Sequence, residues 1–284
     1  MAASRNAPVP VWVTGASGRV GRALRAVWGP KAHETLPILW HSRNSSDAAD
    51  IVWDIGQNPP PPLPDGLIVL HLAGKTNGSR DELAQNAAVT EAACQAALSA
   101  NARHMFLMST AAVYAPGPGL LDETAPPAPL SPYGASKLAA ETVAAQLMPG
   151  RLTILRLANL AGADALLGPL RPEVVLDPVA GQAGGPVRSY IGPRALAQVL
   201  ADLLLLAANG TVLPDVLNLA QQPPVAMADL LQARGQPWRF GPPRASAVAR
   251  VALNTDRLAA LVALPRTSPA ALIADMTSVP GWPQ

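Results

Sequence analysis

A glycine-rich turn stands directly between an apolar strand pattern and a helix pattern near the start of the chain. The strand pattern covers residues 9–13, and the turn reads Thr14-Gly15-Ala16-Ser17-Gly18-Arg19-Val20-Gly21. Apolar residues then recur at helical spacing through Leu24 and Val27. A helix that begins at such a turn directs its free N–H groups beyond the strand, and glycine lets a phosphate approach the backbone closely. The G-x-x-G-x-x-G spacing predicts a nucleotide-binding unit, with an unliganded glycine turn as the alternative.

Short apolar segments alternate with helical segments along most of the chain. Strand patterns lie at about 36–40, 51–55, 67–72, 105–108 and 152–157, and helix patterns lie at about 82–100 and 133–148. Apolar strands separated by helices predict an α/β fold, a doubly wound parallel sheet of the Rossmann type. We expect residues 1–160 to form this domain, with later segments at about 185–220 returning to it. Residues 161–284 should mainly form a small carboxy-terminal substrate lobe.

A tyrosine and a lysine stand four residues apart in Tyr133-Gly134-Ala135-Ser136-Lys137, in a chain with only three of each. On a helix, residues i and i+4 share one face. An ammonium at Lys137 would favour the ionised phenol of Tyr133 and lower its pKa from about 10 toward neutrality. Such a group is suited to acid–base catalysis. Two ordinary surface residues at a helix start are the alternative interpretation.

The composition excludes several classes of protein. Charged residues make up 14% of the chain and the formal net charge is +2, so no nucleic-acid partner is expected. The single Cys94 cannot form an internal disulfide and suits a reducing cytoplasm, where we expect the protein to reside. The four histidines are dispersed, so no metal site is expected. The apolar run 203–206 is too short to span a bilayer, so no membrane partner is expected.

An ordered set of motifs covers residues 9 to 200. After the glycine-rich turn come Asp54-Ile55, His71-Leu72-Ala73-Gly74, Asn86, Ser109-Thr110-Ala111-Ala112-Val113-Tyr114, the Tyr133 motif, Leu155-Arg156-Leu157-Ala158-Asn159 and Arg188-Ser189-Tyr190-Ile191. Together they resemble the extended short-chain dehydrogenase/reductase family, in its NAD(P)-dependent epimerase/dehydratase branch. Their joint occurrence in this order is far more specific than any one motif.

The resemblance implies a catalytic set of Thr110, Tyr133 and Lys137. Tyr133 would exchange a proton with a substrate oxygen while hydride moves to or from the nicotinamide. Lys137 would lower the pKa of Tyr133 and bind the nicotinamide ribose. Thr110 would hold the substrate oxygen, with Ser109 as the alternative hydroxyl, and Asn86 has either a structural role or a cofactor contact.

The resemblance also implies which residues bind cofactor and substrate. The implied cofactor-binding residues are Gly15, Ser17, Gly18, Arg19, Val20, Arg43, Asp54, Ile55, Leu72, Ala73, Gly74, Ser109, Tyr133 and Lys137. The implied substrate-binding residues are Thr110, Asn159 and Arg188.

The preference for NAD or NADP should depend on the side chains at the end of the second strand. An acidic residue there binds the ribose hydroxyls of NAD, whereas this chain has His41-Ser42-Arg43. Arg43 can reach a 2′-phosphate, and Arg19 could add a second cation. The sequence therefore predicts NADP as the cofactor, with NAD as the alternative.

Departures from the family pattern reduce the number of reactions that the chain could catalyse. Ala111 and Ala112 stand where the family's 4,6-dehydratases have Asp-Glu, so dehydration is disfavoured. Cys94 lies in the middle of a predicted helix, so a Cys/His pair for 3,5-epimerisation is also disfavoured. Carbonyl reduction, alcohol oxidation and epimerisation at one carbon remain.

The substrate stays open between a sugar nucleotide, a sugar and a smaller carbonyl or alcohol. Cations that could bind a diphosphate, or lie solvated on the surface, are Arg156, Arg171, Arg188, Arg194, Arg239 and Arg244. The Trp238-Arg239-Phe240 cluster could stack on a base or form a satellite core.

Two alternatives concern the protein as a whole. It could be a non-catalytic NAD(P)-binding regulator, or a scaffold that kept the fold, although either has no need of the complete catalytic set. The resemblance implies a homodimer that forms through the two alanine-rich helices at about 82–100 and 133–148.

Overall fold

The computed structural model describes residues 8–29, 36–44, 49–168 and 170–282. Its strands are β1 (Val11–Thr14), β2 (Ile38–Ser42), β3 (Ile51–Val52), β4 (Ile68–His71), β5 (His104–Thr110), β6 (Leu152–Leu157), β7 (Asn159–Leu160), β8 (Val174–Leu176), β9 (Val187–Ile191), β10 (Val216–Leu219), β11 (Gln221–Ala226), β12 (Trp238–Phe240) and β13 (Arg250–Val251). Its helices are α1 (Arg19–Trp28), α2 (Arg80–Ser99), α3 (Pro132–Leu147), α4 (Pro193–Ala208), α5 (Met227–Arg234), α6 (Asp256–Ala259) and α7 (Pro269–Thr277). A 3₁₀ turn covers Ala111–Val113.

The central sheet has seven parallel strands in the order β10-β6-β5-β4-β1-β2-β3. Strands β1, β4 and β6 are buried along their whole length, because helices cover both faces of the sheet. Strand β1 lies in the middle of the sheet, with β2 next to it on one side and β4 next to it on the other. This reversal of strand order opens a crevice at the carboxyl ends of β1 and β4, where ligands of doubly wound sheets bind. The predicted fold class is confirmed.

Two hydrophobic cores hold the helices to the two faces of the sheet. Helices α2 and α3 pack on each other and bury small side chains such as Ala93, Ala97 and Ala144 beside Trp12 and Trp53 of the sheet side. On the opposite face, α1 packs against α4, and the apolar side of α4 joins the larger core. Small residues let α2 and α3 approach the sheet and each other closely.

The carboxy-terminal region builds two smaller sheets. Strand β9 pairs with β7, β11 and β13, while β8 pairs with β12. Of the segment at 185–220, α4 and β10 return to the main sheet, but β9 does not. The reason is that the chain turns away after β6, so that β7 offers its edge to β9 beyond the end of the main sheet.

The start of α3 is held against the end of β5. The Ser131 hydroxyl accepts a hydrogen bond from the Gly134 N–H, and Pro132 occupies the first turn. A Cβ atom at Gly134 would lie 2.2 Å from the Ala112 carbonyl oxygen, so only glycine permits this approach. Tyr133 is thereby brought beside the segment that carries Thr110.

None of the helices in the described part of the chain is both long enough and apolar enough to cross a membrane.

Candidate active site

The glycine-rich turn lies in the crevice between β1 and β4. Gly15 has φ of +70°, and a Cβ atom there would lie 2.7 Å from the Ala73 nitrogen. The turn therefore packs directly on the loop that follows β4. Helix α1 begins after Gly18 with no side-chain cap and no acidic residue in its first turn. This helix start fits the pyrophosphate of a dinucleotide, because backbone N–H groups and the helix dipole favour an anion there.

A buried threonine–histidine pair joins the loops after β1 and β4. The Thr14 hydroxyl lies 2.9 Å from Nδ1 of His71 and accepts hydrogen bonds from the backbone N–H groups of Leu72 and Ala73. Complete burial lowers the pKa of His71 to about 3, so its imidazole is neutral. With two N–H groups directed at its oxygen, the Thr14 hydroxyl donates its proton to His71.

Three adjoining cavities bring together every site residue that the sequence predicts. The β2-side cavity, of about 440 Å³, is lined by Gly15, Ser17, Gly18, Arg43, Asp54, Ile55, Leu72, Ala73 and Gly74. The inner cavity, of about 530 Å³, is lined by Gly15, Gly18, Arg19, Val20, Leu72, Gly74, Ser109, Thr110, Tyr133, Lys137 and Asn159. The lobe-side cavity, of about 250 Å³, is lined by Thr110, Asn159 and Arg188 together with apolar and small residues.

The three predicted catalytic side chains meet in the inner cavity. The Thr110 hydroxyl hydrogen-bonds the half-buried Tyr133 phenol. Lys137 lies one turn farther along α3 and is buried. Burial lowers the pKa of Lys137 to about 8, while the charge of Glu141 opposes that shift.

The expected lowering of the Tyr133 pKa by Lys137 is not found. Burial raises the pKa of Tyr133 above its usual value, while the hydrogen bond from Thr110 and the charge of Arg19 act in the opposite direction. Desolvation of the phenolate outweighs nearby positive charge here. The predicted lowering of the Tyr133 pKa is therefore wrong, because helical spacing indicates proximity but not burial.

The two neighbouring hydroxyls at the end of β5 have different partners. Thr110 accepts from the Ala112 N–H and reaches Tyr133, whereas the Ser109 hydroxyl donates to the Glu141 carboxylate. The geometry therefore places Thr110, rather than Ser109, beside the phenol.

Arg19 spans the inner cavity. Its guanidinium donates to the Thr76 hydroxyl at 2.7 Å and to the Ala163 carbonyl. It lines the inner cavity, whereas the exposed Arg43 lines the adjoining β2-side cavity. Arg19 thus joins the first turn of α1 to the segment after β7, and its role as a second cation stays a prediction.

Most of the arginines considered for a diphosphate are engaged elsewhere. Arg156 is buried against Glu141, and the remaining pairs are Arg194 with Ser278, Arg239 with Glu173 and Arg244 with Asp177. Arg188 does line the lobe-side cavity, but its two terminal nitrogens donate to the carbonyls of Val187 and Val248. Trp238 packs against the main core and its ring meets Phe240 at 5.1 Å, which favours the satellite-core interpretation of that cluster.

The hydrogen bonds of the Asn86 side chain connect two segments of the fold. Its side-chain oxygen accepts from the Lys75 N–H at 2.7 Å, and its amide donates to the Lys75 carbonyl and the Ser136 hydroxyl. Asn86 thus joins the loop after β4 to the start of α3, although it also lines the β2-side cavity.

Sequence reasoning missed the residues behind the cavity wall. Glu141 was not considered, and its signal was its position four residues after Lys137 on the same helix face. Asp164 also lines the inner cavity, where its carboxylate accepts from the Tyr190 hydroxyl at 2.7 Å. Nothing in the local pattern around Asp164 distinguished it from a surface residue.

Cys94 lines none of the three cavities. Its side chain projects from α2 into the core, and burial raises the pKa of the thiol to about 12. The described residues include no cluster of three or more histidine, cysteine or acidic side chains that could hold a metal ion.

Comparison with known proteins identifies the family. The sequence profile of the NAD dependent epimerase/dehydratase family matches residues 11–183, and no curated protein matches the chain significantly. Among solved structures, a UDP-glucose 4-epimerase from Stenotrophomonas maltophila with bound NAD and formylated UDP-arabinopyranose has a TM-score of 0.76 at 20% identity, over 94% of this chain and 96% of that one. A UDP-glucose 4-epimerase from Brucella ovis in complex with NAD also has a TM-score of 0.76, at 18% identity, over 94% and 97% of the two chains. The NAD-dependent hexosamine 5,6-dehydratase TunA has a TM-score of 0.74 at 18% identity, over 94% and 95%.

These structures share the fold, and the matched profile covers more than half of the chain. The profile match also agrees with the motifs and with the cavities at the end of the sheet. The chain therefore belongs to the NAD-dependent epimerase/dehydratase family and is an enzyme of the extended short-chain dehydrogenase/reductase type.

Proposed function

We propose that this enzyme acts at a single carbon of a sugar nucleotide, either inverting a carbinol carbon or interconverting an alcohol and a ketone at that position. The observation that carries the proposal is the group formed by Thr110, Tyr133 and Lys137, which faces the same inner cavity as the glycine-rich turn. A proton-transfer group and a dinucleotide site in one cavity are what hydride transfer at an alcohol or ketone carbon requires.

The chain's own residues supply proton transfer and orientation. Thr110 holds the substrate oxygen beside Tyr133. The phenolate form of Tyr133 takes up the proton of that oxygen when the alcohol is oxidised, and the phenol form returns it when the ketone is reduced. Burial keeps the resting pKa of Tyr133 above its usual value, and we infer that the positive charge of Lys137, one helical turn away, favours the phenolate when the phenol gives up its proton during the reaction. A nicotinamide cofactor held by the glycine-rich turn and the inner cavity would accept and return the hydride.

The lobe-side cavity argues against dehydration. Its described lining includes Ala111 and Ala112 and contains no carboxylate that could remove a proton from carbon. Asp164 of the inner cavity is already held by Tyr190 and by backbone N–H groups. The reaction that remains needs only the oxygen-bound proton and a hydride.

The substrate proposal rests on the relatives and on Arg188. The compared epimerases are described as UDP-glucose 4-epimerases, one of them with a UDP-sugar bound. Arg188 supplies a cation at the lobe-side cavity, beside Asn159 and Thr110. A sugar nucleotide thus suits the cavity better than a small ketone does.

A direct test incubates the purified protein with UDP-glucose, UDP-glucuronic acid and UDP-N-acetylglucosamine, with NAD or NADP present, and follows epimer formation by proton NMR. We expect one of these sugars to be interconverted with its epimer, and the Tyr133→Phe variant to be inactive as the matched control. Dinucleotide binding without turnover of any sugar nucleotide, together with reduction of a small carbonyl compound, would contradict the substrate class.

The cofactor preference is proposed to be NADP over NAD, on the basis of Arg43. This side chain is exposed, lines the β2-side cavity and has no partner among the described residues. A charge-assisted hydrogen bond to the 2′-phosphate is worth about 1.5–3 kcal/mol, or about 10- to 150-fold in affinity. The compared structures contain NAD, which remains the alternative.

Arg43→Ala should remove most of the difference in affinity between the two cofactors. Dissociation constants for NADP and NAD, measured by calorimetry on the wild type and the variant, check this. Arg80→Ala, which changes an exposed cation at the start of α2, is the control. Equal affinities of the wild-type protein for NADP and NAD would contradict the proposal.

We also propose a homodimer formed through α2 and α3. Outward-facing small side chains on these helices include Ala88, Ala135 and Ala139, and Leu130 beside them is 75% exposed. Small side chains permit close packing, and an exposed leucine suits a buried contact. Light scattering at micromolar concentration should give the mass of two chains, and Ala139→Arg should shift it toward one. A wild-type monomer under these conditions would refute the dimer.

A cytoplasmic location is proposed as well, since the chain's one cysteine is a buried free thiol.

A further inference from the structure

A buried ion pair lies one helical turn beyond Lys137. The Arg156 guanidinium donates to both carboxylate oxygens of Glu141, from Nε at 3.2 Å and from Nη2 at 2.8 Å. The Ser109 hydroxyl donates to the same carboxylate. Three elements, α3, β5 and β6, therefore fix the position of Glu141 directly behind the catalytic group.

We propose that Glu141 is a positioning residue that keeps Lys137 protonated during the reaction, with Arg156 and Ser109 holding its carboxylate in place. The inference rests on the proposed role of Lys137 beside Tyr133. It assigns to Glu141 an electrostatic task in addition to its place in the core.

Burial creates the need for such a residue. Lys137 is 6% exposed, and an ammonium taken out of water is strongly disfavoured unless a negative charge lies nearby. Glu141 is 4% exposed, so little water screens its charge from Lys137. Burial alone lowers the pKa of Lys137, and the negative charge of Glu141 raises it again, which leaves it at about 8.

Other polar groups around Lys137 cannot take this role. His71 of β4 is neutral because its pKa is about 3, and Tyr133 is protonated because burial raises its pKa. Ser109, Thr110 and Arg156 of β5 and β6, Arg19 of α1, and Asn86 and Thr90 of α2 carry either no charge or a positive one. The Asp164 carboxylate lines the same inner cavity, but it is held by the Tyr190 hydroxyl, and the charge that raises the pKa of Lys137 is that of Glu141.

The arrangement of Arg156 also fits this task. Replacing a buried ion pair by apolar residues is often neutral or stabilising, so the pair is weak as a device for stability alone. Arg156 further donates to the Tyr114 hydroxyl at 2.9 Å, and that hydroxyl donates to Asn218. Arg156 is therefore also held on the side away from α3, and its guanidinium keeps the Glu141 carboxylate in a fixed position.

The titration of Lys137 can be measured without any substrate. The chain has only three lysines, at positions 31, 75 and 137, so lysine-selective isotope labelling gives three side-chain NMR signals. Lys137→Arg identifies the signal of interest by its disappearance. In the Glu141→Gln variant, we expect the Lys137 signal to titrate about 1 pH unit lower than in the wild type.

Two further variants guard against misfolding and non-specific effects. Glu141→Gln leaves Arg156 unpaired, so the double variant Glu141→Gln/Arg156→Gln removes both charges and should show a similar downward shift in a folded protein. Glu82→Gln is the control for non-specific effects. It removes a carboxylate of α2 that lies 3.1 Å from the Lys75 ammonium, and it should leave the titration of Lys137 unchanged.

The proposal predicts a second readout once a substrate is known. The Glu141→Gln variant should lose activity at a lower pH than the wild type, because deprotonated Lys137 no longer stabilises the phenolate. An unchanged Lys137 titration in both Glu141 variants would overturn the electrostatic role. A shifted titration in a protein that turns over no sugar nucleotide would support it and count against the proposed substrate.

Discussion

Replacing Tyr133 by phenylalanine should lower turnover by about 10²- to 10⁴-fold while leaving dinucleotide affinity close to that of the wild type. The change deletes one oxygen from a side chain that is half-buried beside Thr110. The helix start is held by Ser131, Pro132 and the close contact of Gly134, so the site should keep its shape. Steady-state kinetics and calorimetric titration of the cofactor separate these two effects.

The Thr110→Val variant should be compared with Tyr133→Phe in the same assay, because it is expected to have a smaller effect. It removes the hydroxyl that orients the phenol and leaves the acid in place, so its loss of turnover should be smaller than that of Tyr133→Phe. The phenol also titrates differently from a helix-surface tyrosine, because burial raises its pKa. Turnover near the wild-type rate in Tyr133→Phe would mean that another group moves the proton.

Replacing Lys137 by methionine should abolish most activity and at the same time stabilise the fold at neutral pH. The pKa of Lys137 falls from 10.5 to about 8 on burial, which corresponds to about 3 kcal/mol of free energy when the group is charged. Methionine has a similar length and carries no charge, so it should recover up to about 3 kcal/mol of that cost. Glu141 remains paired with Arg156 in the variant, so no new unpaired charge is created.

The pH dependence of stability distinguishes this explanation from a simple packing effect. Because the folded-state pKa of Lys137 lies below the unfolded value, the unfolded chain binds more protons between pH 8 and pH 10.5. The wild-type protein should gain stability from this group as the pH rises through that window. The advantage of Lys137→Met in urea unfolding should therefore be full below pH 8 and shrink toward pH 10.5. An advantage that stays constant with pH would point to packing.

Local patterns in the sequence were sufficient for the fold class and for the location of the cofactor crevice. The glycine turn at Gly15, the apolar strands and the helix that carries Tyr133 and Lys137 each depend on neighbours within a few residues. Parallel strands between helices can only pack in a few ways, so the carboxyl ends that carry these motifs must meet at one edge. The sequence could therefore predict that the residues named for cofactor and substrate lie together at this edge.

Tertiary structure alone decided the electrostatics of the site. Whether Tyr133 is acidified depends on how deeply the phenol is buried, and helical spacing carries no information on that. Arg156 looked like a possible phosphate ligand until β6 placed it against Glu141 of α3. The guanidinium of Arg188 is held by a carbonyl 60 residues away, at Val248.

The sequence by itself thus determined which elements form and which motifs face the crevice, since those properties follow from local periodicity and from the rules of parallel sheets. The charge state of Lys137, the partner of Glu141 and the sheet to which β9 belongs were decided by contacts between distant segments. Burial and ion pairing are properties of the packed chain, and no local pattern encodes them.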